Sequence, residues 1–328
     1  MFHGWIENVA DEHLARYAPV YVQHVADGDR GMDRPTRVDF DGDWDATNNW
    51  DHQERHGTQL PAAAYGAAVL TDTHAYLTYT LFYPRDWADW CVPLICHDND
   101  LETVQVVVDR THDAVEEVRI KAHLQFSTTR ADQLALRDGR PVLRVESGGH
   151  GIAACAPDDA ACVAQRGRLV YAPDAPPAPP PEHAEGQAVR YELLSLRDTL
   201  WARRHATQDR LWHDGTEGPL RYIGKRVGRI GRRLGAAMTG VRYAGQVHPP
   251  WSLPAGGVRG DWFFDPAGTG AYAWNPFLDD LRRECGGRAC EVTVAASNPL
   301  GAAGLLTFWL GAIAVQGHRR RRGRIPTP

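Results

Sequence analysis

The sequence contains none of the short motifs that commonly identify an enzyme. There is no G-x-S-x-G nucleophile elbow, no H-E-x-x-H helix and no glycine-rich loop of the kind that cradles a phosphate. These absences exclude the familiar hydrolases, zinc proteases and nucleotide-binding enzymes that depend on those motifs. The chain of 328 residues also lacks an excess of positive charge, since its net charge is −5. A nucleic-acid partner is therefore not expected.

Cysteine is scarce, and its six copies fall into three local pairs. The pairs are Cys91 with Cys96, Cys155 with Cys162, and Cys285 with Cys290. Each pair lies beside turn-forming residues, and the lack of any C-x-x-C spacing argues against zinc. The spacing predicts three short-loop disulfides, which form in an oxidising compartment. Free thiols are the alternative.

Long hydrophobic runs are also scarce. The first twenty residues have neither the basic start nor the apolar run of a signal peptide. An apolar run at 299–315 precedes the arginines at 319–322, and it spans about 25 Å as a helix. It predicts a membrane anchor or sorting tail that keeps the arginines cytoplasmic and the cysteines extracytoplasmic. A buried terminal helix or strand is the alternative.

What the sequence does contain is period-two alternation of apolar and polar residues. It is clearest at 74–83 and 117–126, and the alternating segments are separated by glycine- and proline-rich turns. This pattern predicts a mainly β fold, an antiparallel β-sandwich with long loop insertions and a few short helices. We expect one sandwich domain over 1–298 with a proline-rich insertion at 173–186, followed by the apolar and arginine-rich tail at 299–328.

One predicted strand is led in by groups that can ionise or bind metal. The stretch reads CHDNDLETVQVVVDRTHD, and residues 101–108 form its apolar part. Asp100 and Glu102 are two residues apart, so they point to the same side as the following valines. Two carboxylates beside an apolar core repel each other, and a bound divalent cation removes that conflict. His97, on the preceding turn, is expected to add a third ligand.

A second acidic cluster reads DFDGDWDATNNWD. Asp39, Asp41 and Asp43 alternate around a glycine, as the ligands of calcium loops do, although the closing glutamate of an EF-hand is missing. Oxygen-only ligation suits Ca²⁺ or Mg²⁺. A solvated acidic loop without a metal is the alternative.

Three side chains are candidates for catalysis, and three more are candidates for ligand binding. In RVESGGHG, the glycines allow close backbone approach and are expected to present His150 beside Glu146. An ordinary hairpin turn is the alternative reading of that segment. If the protein is an enzyme, the catalytic candidates are His97, His150 and Glu146. The ligand-binding candidates are Trp87 and Trp90, which we expect to form an aromatic rim, and His74.

Five segments occur together in an order found in a known family. They read RYAPV, DFDGDWDATNNW, DTHAYLTYTLFYPRDW, HDNDLETVQVVVDR and VESGGHG. In this order they resemble bacterial members of the vacuolar protein sorting-associated protein 62 family, which has no agreed activity. The resemblance covers about residues 15–300 and leaves the tail outside.

The chain is more distantly similar to the necrosis-inducing cytolysins. These are secreted β-sandwich proteins with a metal site built around a heptapeptide containing H-x-H-D-x-E. His97, Asp100 and Glu102 match its first histidine, its aspartate and its glutamate. Asn99 stands where that family has its second histidine, and Leu101 stands where it has tryptophan. The similarity implies a cation-binding sandwich with Asp100 and Glu102 in the site.

Two classes of function follow from these observations. The first is an extracytoplasmic, metal-containing binding protein that recognises a glycan or a lipid headgroup at a Ca²⁺ or Mg²⁺ site, with membrane association through 299–315. The second is a metal-dependent hydrolase, in which a cation on Asp100 and Glu102 lowers the pKa of bound water and a histidine acts as general base.

Overall fold

The structure is a computed structural model. It describes residues 2–25, 33–46, 48–56, 60–87, 97–122, 125–163, 168–175, 188–204, 206, 211, 250–252 and 262–284. The apolar segment at 299–315 and four of the six cysteines, Cys91, Cys96, Cys285 and Cys290, lie outside these residues.

Within the described residues, strands outnumber helices. The strands are β1 Val20–His24, β2 Ala63–Leu70, β3 His74–Asp86, β4 His97–Asp109, β5 Ala114–Ala122, β6 Gln125–Arg130, β7 Leu136–Arg137, β8 Arg140–Val145, β9 Ile152–Ala154, β10 Arg168–Ala172, β11 Ala188–Arg190 and β12 Glu192–Ser195. The helices are α1 Phe2–Tyr17, α2 Asn49–His56, α3 Ala160–Val163 and α4 Pro276–Glu284. There are also short 3-10 turns at Ala131–Gln133 and Pro250–Ser252 and a π-helical turn at Arg197–Trp201.

The strands form two sheets. Sheet I has the order β11-β10-β1-β8-β7, with β9 added on β8, and sheet II has the order β12-β2-β3-β4-β5-β6. Most pairings are antiparallel, whereas β1 with β8, β10 with β11 and β2 with β12 are parallel. The predicted mainly β fold is confirmed. An antiparallel sandwich was expected, and the three parallel pairings depart from that expectation.

The core lies between the two sheets, as a sandwich requires. Alternate residues of β3 and β4, such as Leu77, Tyr79 and Val104, share one buried cluster with Tyr21 and Leu143 of sheet I. Helix α1 closes one side of this core, where the Tyr79 hydroxyl donates to the Leu14 carbonyl at 2.9 Å. The predicted alternation therefore directs one face of β3 into the inter-sheet core.

The other face of sheet II is also buried. Tyr65, Tyr76 and Phe82 pack there against an aromatic layer that includes Trp201 and Phe263. Polar residues on this face are satisfied inside the protein: the Thr80 and Thr103 hydroxyls lie 3.1 Å apart. Strands β2 and β3 are consequently buried on both faces; β2 is apolar almost throughout, whereas the sequence of β3 alternates as that of a half-exposed strand does.

One predicted disulfide is confirmed. Cys155 and Cys162 are bonded, with their Cα atoms 5.9 Å apart, and both side chains are buried. Among the described residues, no helix is long and apolar enough to cross a membrane.

Candidate functional site

The paired register of β3 and β4 determines where the two predicted carboxylates lie. Asp100 is opposite Tyr83, and Glu102 is opposite Leu81, so both carboxylates share the inward face of β4 with Val104. Asp100 is 5% exposed and Glu102 is 1% exposed. The expectation that these carboxylates point to the same side as the valines is confirmed. Both carboxylates lie at the end of the sandwich where β4 begins.

Two residues from distant segments complete a buried cluster around Asp100. The Nδ1 atom of His150 lies 3.0 Å from Asp100 Oδ2, and its Nε2 atom lies 3.4 Å from Asp33 Oδ1. The imidazole stacks on the Tyr83 ring with centroids 3.7 Å apart and an interplanar angle of 1°. We call Asp33, Tyr83, Asp100 and His150 the buried cluster.

The protonation of His150 follows from these contacts. Burial of the fully enclosed ring lowers its pKa, but hydrogen bonds and charges from Asp100 and Asp33 outweigh burial and raise the pKa to about 10. At neutral pH the ring is therefore a cation held between two carboxylates. A ring in this state does not accept a proton while both carboxylates hold it, and the catalytic role of His150 stays a prediction.

The backbone around the buried cluster is strained. Asn99 and His150 adopt left-handed conformations, with φ of 57° and 53°, which non-glycine residues rarely adopt. Gly148 has φ of 79°, and a Cβ atom there would collide with the carbonyl oxygen of Trp87. The Gly148 N–H donates to Asp33 Oδ1 at 2.7 Å. The glycines of RVESGGHG thus permit the close approach that the sequence predicted.

The segment that carries the acidic loop packs over this end of the sandwich. The Asn49 amide of α2 donates to Asn99 Oδ1 at 2.6 Å, and the Asn99 amide donates to the Ala46 carbonyl at 2.7 Å. The Arg85 guanidinium lies 4.4 Å from the centre of the Trp50 ring and donates to the Trp50 carbonyl. The left-handed Asn99 therefore anchors α2 to the start of β4.

Three side chains of this segment form a second group, which we call the surface group. Asp41, Asp43 and His52 each place one ligand atom within 4.8 Å of the others. His52 Nδ1 contacts Asp41 Oδ2 directly, and the Asn48 amide donates to Asp43 Oδ2 at 3.1 Å. Asp43 is exposed and His52 is half-buried, whereas the Asp41 side chain is almost fully buried. The group can hold a metal ion while leaving coordination positions open to solvent.

The members of this group partly match the sequence expectation. Asp41 and Asp43 were predicted, whereas His52 was not. Asp39, the third predicted aspartate, instead forms a two-pronged pair with the Arg37 guanidinium at 3.0 Å. Two carboxylates and an imidazole suit Mn²⁺ or Zn²⁺ as well as the oxygen-preferring Ca²⁺ and Mg²⁺.

Glu102 has a cation of the protein close to it. Lys121 Nζ lies 3.9 Å from Glu102 Oε1 and donates to the Leu101 carbonyl at 3.2 Å. His150 provides the corresponding positive charge for Asp100. The repulsion between the two carboxylates is therefore offset by side chains of the protein itself. Cation binding by Asp100 and Glu102 stays a prediction.

The other predicted site residues lie in different places. His74 is at the opposite end of β3, where it pairs with Asp109 in register and contacts Glu116 Oε2 at 2.8 Å. Trp87 is half-buried beside the Gly148 loop, and its backbone N–H donates to the Gly148 carbonyl at 3.1 Å. Glu146 is exposed. The side chain of His97 and the whole of Trp90 lie outside the described part.

No family model matches the chain, and no curated protein is similar to it. Several solved structures are similar at low identity. They include necrosis and ethylene inducing protein 2 from the causal agent of cocoa's witches' broom disease, with 15% identity, a TM-score of 0.30, and coverage of 44% of this chain and 67% of that one. NLPPya in complex with mannosamine has 17% identity, a TM-score of 0.31 and the same coverage.

A third similar structure is the non-toxic HaNLP3 protein. It has 14% identity and a TM-score of 0.30, and the match covers 46% of this chain and 70% of that one. These neighbours are of the necrosis-inducing kind that the motif at 97–102 resembles. At such identities and TM-scores the likeness assigns the chain to no family and carries no activity over to it.

Proposed function

We propose that the protein is an extracytoplasmic β-sandwich that binds a divalent cation and, through it, a glycan or a lipid headgroup. The observation that carries this proposal is the surface group, in which Asp41, Asp43 and His52 converge within 4.8 Å. A cation held there keeps positions open to solvent, and hydroxyl or phosphate oxygens of a ligand can fill them.

Ca²⁺ or Mg²⁺ is the proposed cation, bound through the carboxylates of Asp41 and Asp43. The side-chain oxygen of Asn48 is a further hard ligand close to them, because its amide already contacts Asp43. His52 extends the candidates to Mn²⁺ and Zn²⁺. The pair Asp100 and Glu102, with His97, is the alternative site for the same cation.

Two tryptophans of this end support ligand binding. Trp87 is half-buried beside the Gly148 loop. Trp44 lies in the acidic loop itself, half-buried beneath the Arg203 guanidinium at 4.1 Å. An aromatic face beside a cation suits a sugar ring or a headgroup.

Binding is favoured over hydrolysis because of the state of His150. Its two ring nitrogens both face carboxylates, and its pKa of about 10 keeps it charged at neutral pH. The hydrolase hypothesis needs a neutral histidine near the cation to take a proton from water. Export is supported by the buried Cys155–Cys162 disulfide. Membership of the vacuolar protein sorting-associated protein 62 family is part of the same proposal.

The cation is tested on the full chain, expressed in an oxidising compartment and dialysed against each metal in turn. Elemental analysis should find one equivalent in the wild type and none in the double variant Asp41→Asn, Asp43→Asn. Asp39→Asn is the matched control, since Asp39 is in the same loop but pairs with Arg37. A metal-free wild type would refute the proposal.

The ligand is tested by binding to a glycan array and to vesicles, with and without chelator. We expect chelator and Trp87→Ala to reduce binding, whereas Trp5→Ala should leave it unchanged. Trp5 is a suitable control because it is 63% exposed on α1. Binding that survives both chelator and Trp87→Ala would contradict the proposed mode.

A further inference from the structure

The outer face of sheet I carries three basic side chains at one end. His24 closes β1 and is directly opposite Arg168 of β10, while Arg144 of β8 is opposite Val22. Directly paired residues share a face of a sheet, and so do residues two apart in a strand. His24, Arg144 and Arg168 therefore lie on one face, which we call the basic face.

This face points away from the inter-sheet core. Tyr21 and Leu169, which alternate with the basic positions, belong to the core between the sheets. Val20 and Val170, which share the face with His24 and Arg168, form a separate cluster. A ligand on the basic face would therefore not enter the sandwich interior.

Two atoms of the basic face have no hydrogen-bond partner among the described residues. They are Arg168 Nη1 and His24 Nε2, and both are buried. A guanidinium N–H that is withdrawn from water without an acceptor destabilises the folded protein. An acceptor with several oxygens would satisfy both atoms at once.

The electrostatics also favour an anion. Burial lowers the pKa of His24, and the positive charges of Arg168 and Arg144 lower it further, while Glu146 and Asp33 act in the opposite direction. The two guanidinium charges thus reach the His24 ring. Of the opposing carboxylates, Asp33 is already engaged by the His150 cation.

We propose that the basic face binds the phosphate group of a phosphate monoester. The planar guanidinium groups of Arg168 and Arg144 match the oxygens of phosphate in pairs, and His24 adds a ring nitrogen. This goes beyond the cation-dependent function, because no residue of the basic face belongs to the surface group or the buried cluster. The phosphate comes from a lipid headgroup or from a soluble compound.

The test is a calorimetric titration of the full chain with inorganic phosphate, in the presence of chelator. We expect binding by the wild type, and binding about ten- to a hundredfold weaker in Arg168→Gln. Arg190→Gln is the matched control, because Arg190 is exposed on the neighbouring β11 and its Nε donates to the Pro173 carbonyl at 3.2 Å. It should bind as the wild type does.

A second variant guards against misfolding. Arg144 is exposed, so Arg144→Gln should fold even if Arg168→Gln does not, and it should also weaken phosphate binding. Equal binding by all variants, or no binding by the wild type, overturns the inference. If phosphate binds only when Ca²⁺ is present, and equally in all variants, it binds to the cation. That result overturns the inference of a phosphate site on the basic face and is consistent with the proposed function.

Vesicles distinguish the two sources. Phosphatidylcholine vesicles with and without phosphatidic acid, a lipid phosphate monoester, are sedimented with the protein. Retention that requires phosphatidic acid and is lost in Arg144→Gln supports the basic face with a lipid as the source. Binding of inorganic phosphate without such retention supports it with a soluble source.

Discussion

The buried cluster and the surface group each contain two aspartates and one histidine, and they use them differently. In the buried cluster, His150 lies between Asp33 and Asp100, and each ring nitrogen faces one carboxylate. In the surface group, Asp41, Asp43 and His52 converge on one point. The first arrangement is closed on itself, whereas the second is open to a cation.

Burial explains the difference. Inside the protein an uncompensated charge costs several kcal/mol, so the buried aspartates are stable only with a cation fixed between them. In the surface group Asp43 and His52 reach solvent although the Asp41 side chain is buried, so an exchangeable ion can provide the compensation. The same three groups therefore stabilise the fold in one place, and in the other they form the group that we propose binds a cation.

The largest effect should come from the charge on His150. Its pKa of about 10 in the folded state is above the roughly 6.5 of an unfolded chain. Because the folded pKa is raised, the stabilisation is complete below about pH 6.5 and is lost as the pH rises through about 10. Urea unfolding should show a loss of about 5 kcal/mol at most over this window. His150→Gln should remove that slope; an unchanged slope would show that other groups cause it.

The next effect concerns the glycine that holds the buried cluster together. Gly148→Ala should lower the free energy of unfolding by about 3 kcal/mol, because left-handed strain and a collision with Trp87 add up. Gly139→Ala, at a similar φ of 77° but in open space, should cost only about 1 kcal/mol. Urea unfolding measures both, and equal losses would mean that the collision is relieved by movement of the loop.

Cation binding gives a third test, which decides between the surface group and the Asp100 and Glu102 pair as the cation site. At a concentration a hundred times its Kd, the cation should raise the free energy of unfolding by about 2.7 kcal/mol. Asp41→Asn with Asp43→Asn should abolish this increase, and Asp100→Asn should retain it from a lower starting stability. The reverse result would move the cation to the Asp100 and Glu102 pair.

The smallest effect is expected at a third histidine and carboxylate pair. His74 and Glu116 are 29% and 47% exposed in their side chains, so His74→Gln should change stability by less than about 0.5 kcal/mol. Thermal unfolding checks this, and the same variant tests His74 as a ligand-binding residue. A loss of glycan or vesicle binding in His74→Gln would support that role.

Local patterns predicted the parts of the molecule that depend on neighbouring residues. Period-two alternation gave the strands and the shared inward face of Asp100 and Glu102. The short spacing of Cys155 and Cys162 gave their disulfide. The glycine at 148 allows the close backbone approach that the sequence predicted.

The parts that were missed depend on contacts between distant segments. Asp33 meets His150 across more than one hundred residues, and no local pattern encodes that contact. His52 carried a weak signal, because a helix that begins at Asn49 places His52 one turn along, beside the aspartates. Alternation also does not reveal the order of strands, which is why the parallel pairings of β1 and β12 were not foreseen.

Strand order has a consequence for how the chain folds. In sheet II, β2 to β6 follow one another as successive hairpins, so their contacts are local and can form early. In sheet I, β1 lies between β8 and β10, which emerge from the ribosome more than one hundred residues later. Until then both edges of β1 are unpaired. We expect sheet I to assemble last. A chain interrupted before β10 should expose an unpaired edge of β1, which can pair with strands of other molecules and which the intact protein covers.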